Sequence, residues 1–288
     1  MVYVVSGQYG GRCALKLGYL YNEKQYLELI FMNNTNNDKP TAFITGATSG
    51  IGLATAKIFA SNKINIVICG RRKKRLDALK KELSRHTKVF TLVFDVQDKK
   101  AVFKAIDSLP TEFSNIDILI NNAGNAHGLS SIEEGNLEDW EAMLDINVKG
   151  LLYVSKAIMP QMIKNKAGHI INIGSIAGKE VYPMGNIYCA SKYAVDAINQ
   201  GMRIDLNKYG IRVGAINPGL VETEFSKVRF KGDNGRASDT YKGYKPLQAE
   251  DIADIIHFMV TRPSHVNIAD LLVMPTAQAS ATIVNKKL

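Results

Sequence analysis

The stretch from Thr41 to Gly52 constrains the fold more than any other part of the chain. A short apolar, β-prone run, Ala42–Ile44, meets a turn that holds Gly46, Thr48, Ser49, Gly50, Ile51 and Gly52. Ile51, Ala54, Ile58 and Phe59 then recur at helical spacing. Strand, glycine turn and helix in that order form the context in which glycines serve a nucleotide site. Gly46 permits the tight turn, Gly50 lets backbone approach a ligand, and Gly52 lets helix and strand pack closely. The first N–H groups of such a helix have no partner within it and are available to a pyrophosphate. An ordinary glycine turn is the competing reading. The spacing G-x-x-x-G-x-G is one residue longer between the first two glycines than the common dinucleotide fingerprint.

The alternation continues along the chain. Strands are expected at 41–45, 64–69, 89–94, 116–121, 168–174, 211–217 and 268–274, with helices between them. The longest helices fall near 137–165 and 186–209. Residues 64–69 are almost continuously apolar, as strands are when both faces of a parallel sheet are covered. With 46% apolar residues, the chain has ample material for a large core. The expectation is an α/β fold: a single Rossmann-type, doubly wound domain over residues 41–288, with seven parallel strands flanked by helices. No Pro/Ser/Gly-rich linker or internal repeat interrupts it.

The second strand ends in Gly70-Arg71-Arg72. An NAD site usually places an acid near this junction for the ribose 2′-hydroxyl, whereas an arginine accommodates the 2′-phosphate of NADP. No acid stands here, and the planar fork of an arginine suits phosphate. Arg71 and Arg72 are therefore expected to bind NADP(H). Lys73, Lys74 and Arg75 read as a solvated helix start.

Tyr188 and Lys192 lie four residues apart, with Ser175 upstream. On a helix, residues at that spacing share a face. A nearby cation favours the phenolate, so Lys192 is expected to lower the Tyr188 pKa by roughly 1–3. Tyr188 then becomes a usable proton donor and acceptor at neutral pH. Alone, such a pair is an ordinary surface feature; the glycine turn and the arginines give it meaning.

With these pieces in place, the chain resembles the short-chain dehydrogenase/reductase family. The matching motifs run in order: TGATSGIG at 45–52, Asp95-Val96, Asn121-Asn122-Ala123-Gly124, Asn147, Ser175, Tyr188, Lys192, and Pro218-Gly219. Residues 218–231 and 264–279 further resemble the NADP-dependent 3-hydroxy acid dehydrogenases, also described as serine or L-allo-threonine dehydrogenases. The resemblance implies that Asp95 and the Val96 backbone hold adenine. It implies that Asn122, Ala123 and Gly124 pack by the cofactor ribose, and that Asn121 satisfies the sheet backbone. Asn147 would hold a water that links Lys192 to solvent. Pro218, Gly219, Val221 and Thr223 would line the nicotinamide.

The expected chemistry is hydride transfer between NADP and a secondary alcohol. Tyr188 handles the hydroxyl proton, Ser175 fixes the substrate oxygen, and Lys192 tunes the phenol and binds ribose. The substrate is expected to be a small 3-hydroxy acid of the serine, allo-threonine and 3-hydroxypropionate class. A reductase of ketones, sugars or 3-oxoacyl thioesters is the alternative. Arg229 is the expected carboxylate partner, because an arginine fork binds carboxylate in bidentate fashion.

The net charge of +9 raises nucleic acid as a partner, but the basic residues are scattered. Attraction of an anionic cofactor and substrate is the better use of that charge. Cys13, Cys69 and Cys189 have no paired spacing, which fits a reducing cytoplasm. The five histidines show no ligand spacing, and no metal is expected. No secretory signal or membrane-length apolar run is present. Residues 1–40 read as an N-terminal extension. The first 31 residues, rich in Tyr and Gly, are expected to precede the true start at Met32. The family resemblance implies a homodimer or homotetramer built on the long helices.

Overall fold

Strand β2 (Asn65–Gly70) shows how one apolar run serves two cores. Ile66 and Ile68 join one buried cluster, and Val67 and Cys69 join another on the opposite face. Successive side chains of a strand point to opposite faces, so both faces must be covered by helices.

The computed structural model describes residues 39–287. The expectations for residues 1–31, for a start at Met32 and for Cys13 lie outside the described residues. Strands β1 (Thr41–Ile44), β2, β3 (Val89–Val93), β4 (Ile118–Asn121), β5 (Gly168–Ile173), β6 (Ile211–Pro218) and β9 (Asp270–Val273) form one sheet. Its order is β3-β2-β1-β4-β5-β6-β9, and every adjacent pair is parallel. All seven expected strands are present, with ends moved by a residue or two.

Helices α1 (Gly50–Ser61), α2 (Lys73–Leu83) and α9 (Ala249–Val260) cover the face that holds Ile44, Phe59, Leu76, Ile120 and Ile256. Helices α3 (Lys99–Asp107), α5 (Leu151–Asn165) and α6 (Asn186–Leu206) cover the face that holds Phe43, Val102, Leu119, Val154 and Met202. Crossovers lie on both faces of the sheet, which makes it doubly wound. The order reverses at β1 and β4, and a crevice opens beyond their carboxyl ends.

Two features depart from the sequence expectation. The helix expected over 137–165 is α4 (Leu137–Leu144), then a π-helical stretch, Asp145–Gly150, then α5. Inserted π turns concentrate at functional positions, and this one carries Asn147. A second sheet pairs two short strands, β7 (Val221–Glu222) and β8 (Leu247–Gln248). Their pairing ties together the base of an excursion that contains α7 (Phe225–Arg229) and α8 (Asn234–Asp239).

Candidate active site

The glycine turn forms a cradle at the carboxyl end of β1. Gly46 and Gly50 have φ of 66° and 53°, a left-handed backbone that favours glycine. A Cβ at Gly52 would collide with the Asn122 side chain and lie 2.6 Å from the Gly46 carbonyl oxygen. Helix α1 starts with Ser49 at its N-cap, no side-chain cap and no acid in its first turn. That helix end is thus free for an anion, as a pyrophosphate requires.

Thr45 and Asn122 fasten β1 to β4 here. The Thr45 hydroxyl accepts from the backbone N–H groups of Asn122 and Ala123 at 2.9 Å each. The Asn122 amide donates to the Thr45 carbonyl at 2.8 Å. Sequence reasoning gave the backbone-satisfying role to Asn121 instead. The Asn121 amide goes to Ser155 and Asn172 at 2.8 and 2.9 Å, in a buried side-chain network.

A cavity of about 450 Å³ opens above the cradle. Thr48, Ser49, Gly50 and Ile51 line it, together with Arg71, Arg72, Asp95 and Val96. Ala123, Gly124, Pro218, Gly219, Val221 and Thr223 line it as well, with Thr223 against Gly50. Ser175, Tyr188, Lys192 and Arg229 complete the lining. The cleft therefore unites nearly every residue singled out from the sequence. Gly52 and Asn147 stand behind its wall rather than on it.

The arginines that follow β2 hold different partners. Arg71 is exposed and reaches Asp95 at 3.4 Å, while Asp95 also accepts from the Gln97 backbone. Arg72 donates to Thr48 Oγ1 and Ser49 Oγ at 2.7 Å. Lys73 pairs with Asp77 on its own helix, as a solvated residue does. Arg75 is exposed too, as a solvated helix start requires, and its guanidinium also pairs with the Glu224 carboxylate at 2.9 Å.

Beside Tyr188, the Ser175 hydroxyl stands close enough to favour the phenolate. The serine is held in turn by the Ala177 N–H, which donates to Oγ at 3.1 Å. Lys192 is buried and donates from Nζ to the Ile173 carbonyl at 2.9 Å. A Cβ at Gly124 would lie 3.2 Å from Asn147 Oδ1 and 3.6 Å from Lys192 Nζ, so asparagine and lysine flank this glycine. Asn147 itself is committed: it donates to Asn125 O and Ser191 Oγ and accepts from Asn125 N.

Burial pushes the Tyr188 phenol above its ordinary value, and the neighbouring Tyr182 adds to that rise. The Ser175 hydroxyl and the Arg229 guanidinium oppose it. The expectation that Lys192 lowers the phenol is not met: Lys192 is not among the groups that shift it, and burial dominates. Burial instead brings the Lys192 ammonium down to about 8. Desolvation disfavours the charged form of both groups and is the first cause of each shift.

Arg229 lies over two aromatic rings, 5.6 Å from the Tyr188 centroid and 5.4 Å from that of Tyr182. Its Nε donates to Gly128 O at 3.3 Å. Tyr182, Glu224 and Gln278 also line the cleft, and sequence reasoning missed all three. Gln278 accepts from the Leu220 N–H at 2.9 Å and closes the wall behind Gly219. None of the three carries a spacing signal, because each arrives from a loop.

The family pattern described as short chain dehydrogenase matches residues 40–234. The chain belongs to the short-chain dehydrogenase family. Among relatives, sulfoacetaldehyde reductase 2 of Chromohalobacter salexigens is 45% identical over 237 residues, covering 82% of this chain and 94% of the relative. An NADP-dependent 3-hydroxy acid dehydrogenase of Escherichia coli is 44% identical over 239 residues, covering 83% of this chain and 96% of the relative. A solved structure described as the closed form of serine dehydrogenase complexed with NADP+ superposes with a TM-score of 0.81 at 42% identity, covering 86% of this chain and 100% of that one. This short-chain dehydrogenase is thus an oxidoreductase with the fold of its relatives over nearly their whole length. Among its described residues, no helix is long and apolar enough to cross a membrane. No group of three or more His, Cys, Asp or Glu among those residues could hold a metal ion.

Proposed function

We propose that the protein is an NADP-dependent dehydrogenase of small alcohols that end in an anion, the 3-hydroxy acid class. The observation that carries this reading is the placement of Arg229 against the Tyr188 ring, in a cleft that Arg71 and Arg72 also line. A substrate oxygen at Ser175 and Tyr188 leaves the substrate's other end near the guanidinium. A short chain with a terminal carboxylate fits that separation. The substrates that give two relatives their names, a 3-hydroxy acid and sulfoacetaldehyde, share an anionic end.

The cradle fits the cofactor: an uncapped helix start, two glycines with positive φ and two arginines converge on one wall. NADP, when bound, supplies the hydride acceptor or donor. Arg71 and Arg72 bind its 2′-phosphate, and the free N–H groups of α1 face its pyrophosphate. Asp95 and Val96 hold adenine, and Thr223, Val221, Pro218 and Gly219 shape the nicotinamide end.

In oxidation, Tyr188 takes the alcohol proton; in reduction it returns one. Ser175 orients the substrate oxygen toward the phenol. Lys192 holds the nicotinamide ribose and supplies positive charge behind the tyrosine, and Asn147 fixes the backbone beside that ammonium. Arg229 orients the anionic end and adds its charge to the stabilisation of phenolate. A cytoplasmic homodimer or homotetramer built on α5 and α6 is part of this proposal, and light scattering measures its size.

The test is NADPH oxidation against a panel. Malonic semialdehyde and sulfoacetaldehyde are expected to turn over with much higher kcat/KM than neutral ketones, sugars or 3-oxoacyl thioesters. A preference for the neutral carbonyls would assign the protein to the wider group of carbonyl reductases.

A further inference from the structure

Glu224 follows Thr223 at the entrance to α7, and its carboxylate is shared between two arginines. Arg72 Nη1 lies 2.9 Å from Oε2, and Arg75 Nη1 lies 2.9 Å from both carboxylate oxygens. Those guanidinium groups, Arg72 first, hold the Glu224 carboxyl below its ordinary value. Nε and Nη2 of Arg72 are taken by Thr48 and Ser49, which leaves one Nη1 N–H for a phosphate. Three separate partners therefore fix its plane.

The position of this triad distinguishes two roles. A carboxylate standing in for a bound phosphate would draw both arginines to face the cavity. Arg72 and Glu224 do line the cleft, but Arg75 does not. The carboxylate thus bridges the rim, with one arginine inside the cleft and one outside. The segment it begins is also pinned at its other end. The Gly128 N–H donates to Arg229 O at 2.9 Å, and Lys231 pairs with Asp139 at 2.9 Å. Residues 224–231 are fastened on one side to the phosphate-reading junction and on the other to Gly128, in the loop before α4, and to Asp139 on α4 itself.

We infer that Glu224 is a positioning residue that makes reading of the 2′-phosphate and closure of segment 224–231 a single event. The inference rests on the proposed role of Arg72 at that phosphate. An arginine already held in one plane loses little freedom when phosphate arrives. The same arginine anchors the segment that carries Arg229, so NADP is retained under a fastened cover. NADH does not use the Arg72 fork and gains little from the bridge. Both pairs are partly exposed, so each contributes modestly and weakens with salt.

The experiment is stopped-flow release of NADPH and NADH from the parent, Glu224→Gln, Arg75→Met and the double variant. Glu224→Gln and Arg75→Met are each expected to release NADPH roughly 3–5-fold faster, with NADH release changed by less than about 1.5-fold. The double variant should be no faster than either single, since the two side chains act through one bridge. The substrate KM should rise with kcat little changed. Parent-like NADPH release from Arg75→Met, multiplying effects in the double variant, or equal acceleration of NADH would each overturn the inference. Arg72→Ala separates the layers. If it leaves the preference for NADPH intact, the phosphate reading and this inference fall together. If it abolishes the preference while Glu224→Gln releases NADPH at the parent rate, only the bridge falls.

Discussion

Lys192 Nζ donates to the carbonyl of Ile173 at the end of β5, at 2.9 Å. The ammonium is thereby tethered to the sheet, within reach of Gly124 and Asn147. Its charge waits in a buried place, and so does the neutral phenol of Tyr188. Burial is the first cause acting on both groups, so both answer to what surrounds them more than to their spacing on α6.

Tyr188→Phe removes the only proton-transfer hydroxyl assigned to the reaction and keeps the ring that packs on Phe225 at 5.7 Å. Turnover is expected to drop by about 10²–10⁴, with NADPH affinity retained. Steady-state kinetics together with fluorescence titration of NADPH check both halves; near-parent turnover would refute the mechanism.

Lys192→Met tests the cost of the buried cation. Its folded pKa is lowered from 10.5 to about 8, so the unfolded chain binds the extra proton between those values. The penalty is full below pH 8, on the order of 3 kcal/mol, and vanishes above 10.5. Loss of the bond to Ile173 O returns about 1 kcal/mol. The inactive variant is expected to be the more stable protein at pH 7. Its advantage should shrink as pH rises from 8 to 10.5 in paired denaturant titrations. An advantage that grows over that range would contradict the assignment.

Arg71→Ala combined with Arg72→Ala should weaken NADPH binding by about 10²-fold or more, since hydrogen bonds to charged groups contribute about 1.5–3 kcal/mol each. NADH binding should change far less. Isothermal titration with both cofactors decides, and equal weakening of the two would show that these side chains do not read the 2′-phosphate.

Arg229→Met is expected to raise KM for an anionic aldehyde by about 10–100-fold, while a slow neutral ketone is handled as before. If both substrates suffer alike, the guanidinium supports the tyrosine rings rather than the substrate.

Gly52→Ala places a methyl group against Asn122 and the Gly46 carbonyl, neither of which is a flexible chain end. A loss of about 1–3 kcal/mol in stability is expected, together with weaker NADPH binding. Thermal melts with and without cofactor measure both.

The sheet was legible because covered parallel strands are long apolar runs, as Ile64–Cys69 shows. The site was legible wherever a motif sits at a strand end: Gly46 to Gly52, Asp95, Asn122 to Gly124, Pro218. Spacing carried Tyr188 and Lys192 because one helix, α6, holds both. It did not reveal that burial dominates both protonation equilibria, since desolvation depends on what packs around a group. Tyr182, Glu224, Arg75 and Gln278 were illegible for a related reason. Their partners lie far away in the chain, Glu224 being 149 residues from Arg75, and no local pattern encodes such a meeting. The π-helical break at Asn147 was hidden because its apolar periodicity continues smoothly into α5.

That break holds one residue more than an α-helix would use for the same turn. Removing a residue from Asp145–Gly150 would let the stretch close into plain α-helix, with Val154, Ile158 and Met162 still aimed at the sheet. The same deletion inside α5 would instead turn every later side chain by about 100°. The core would survive the first cut, and only the neighbourhood of Asn147 would register it.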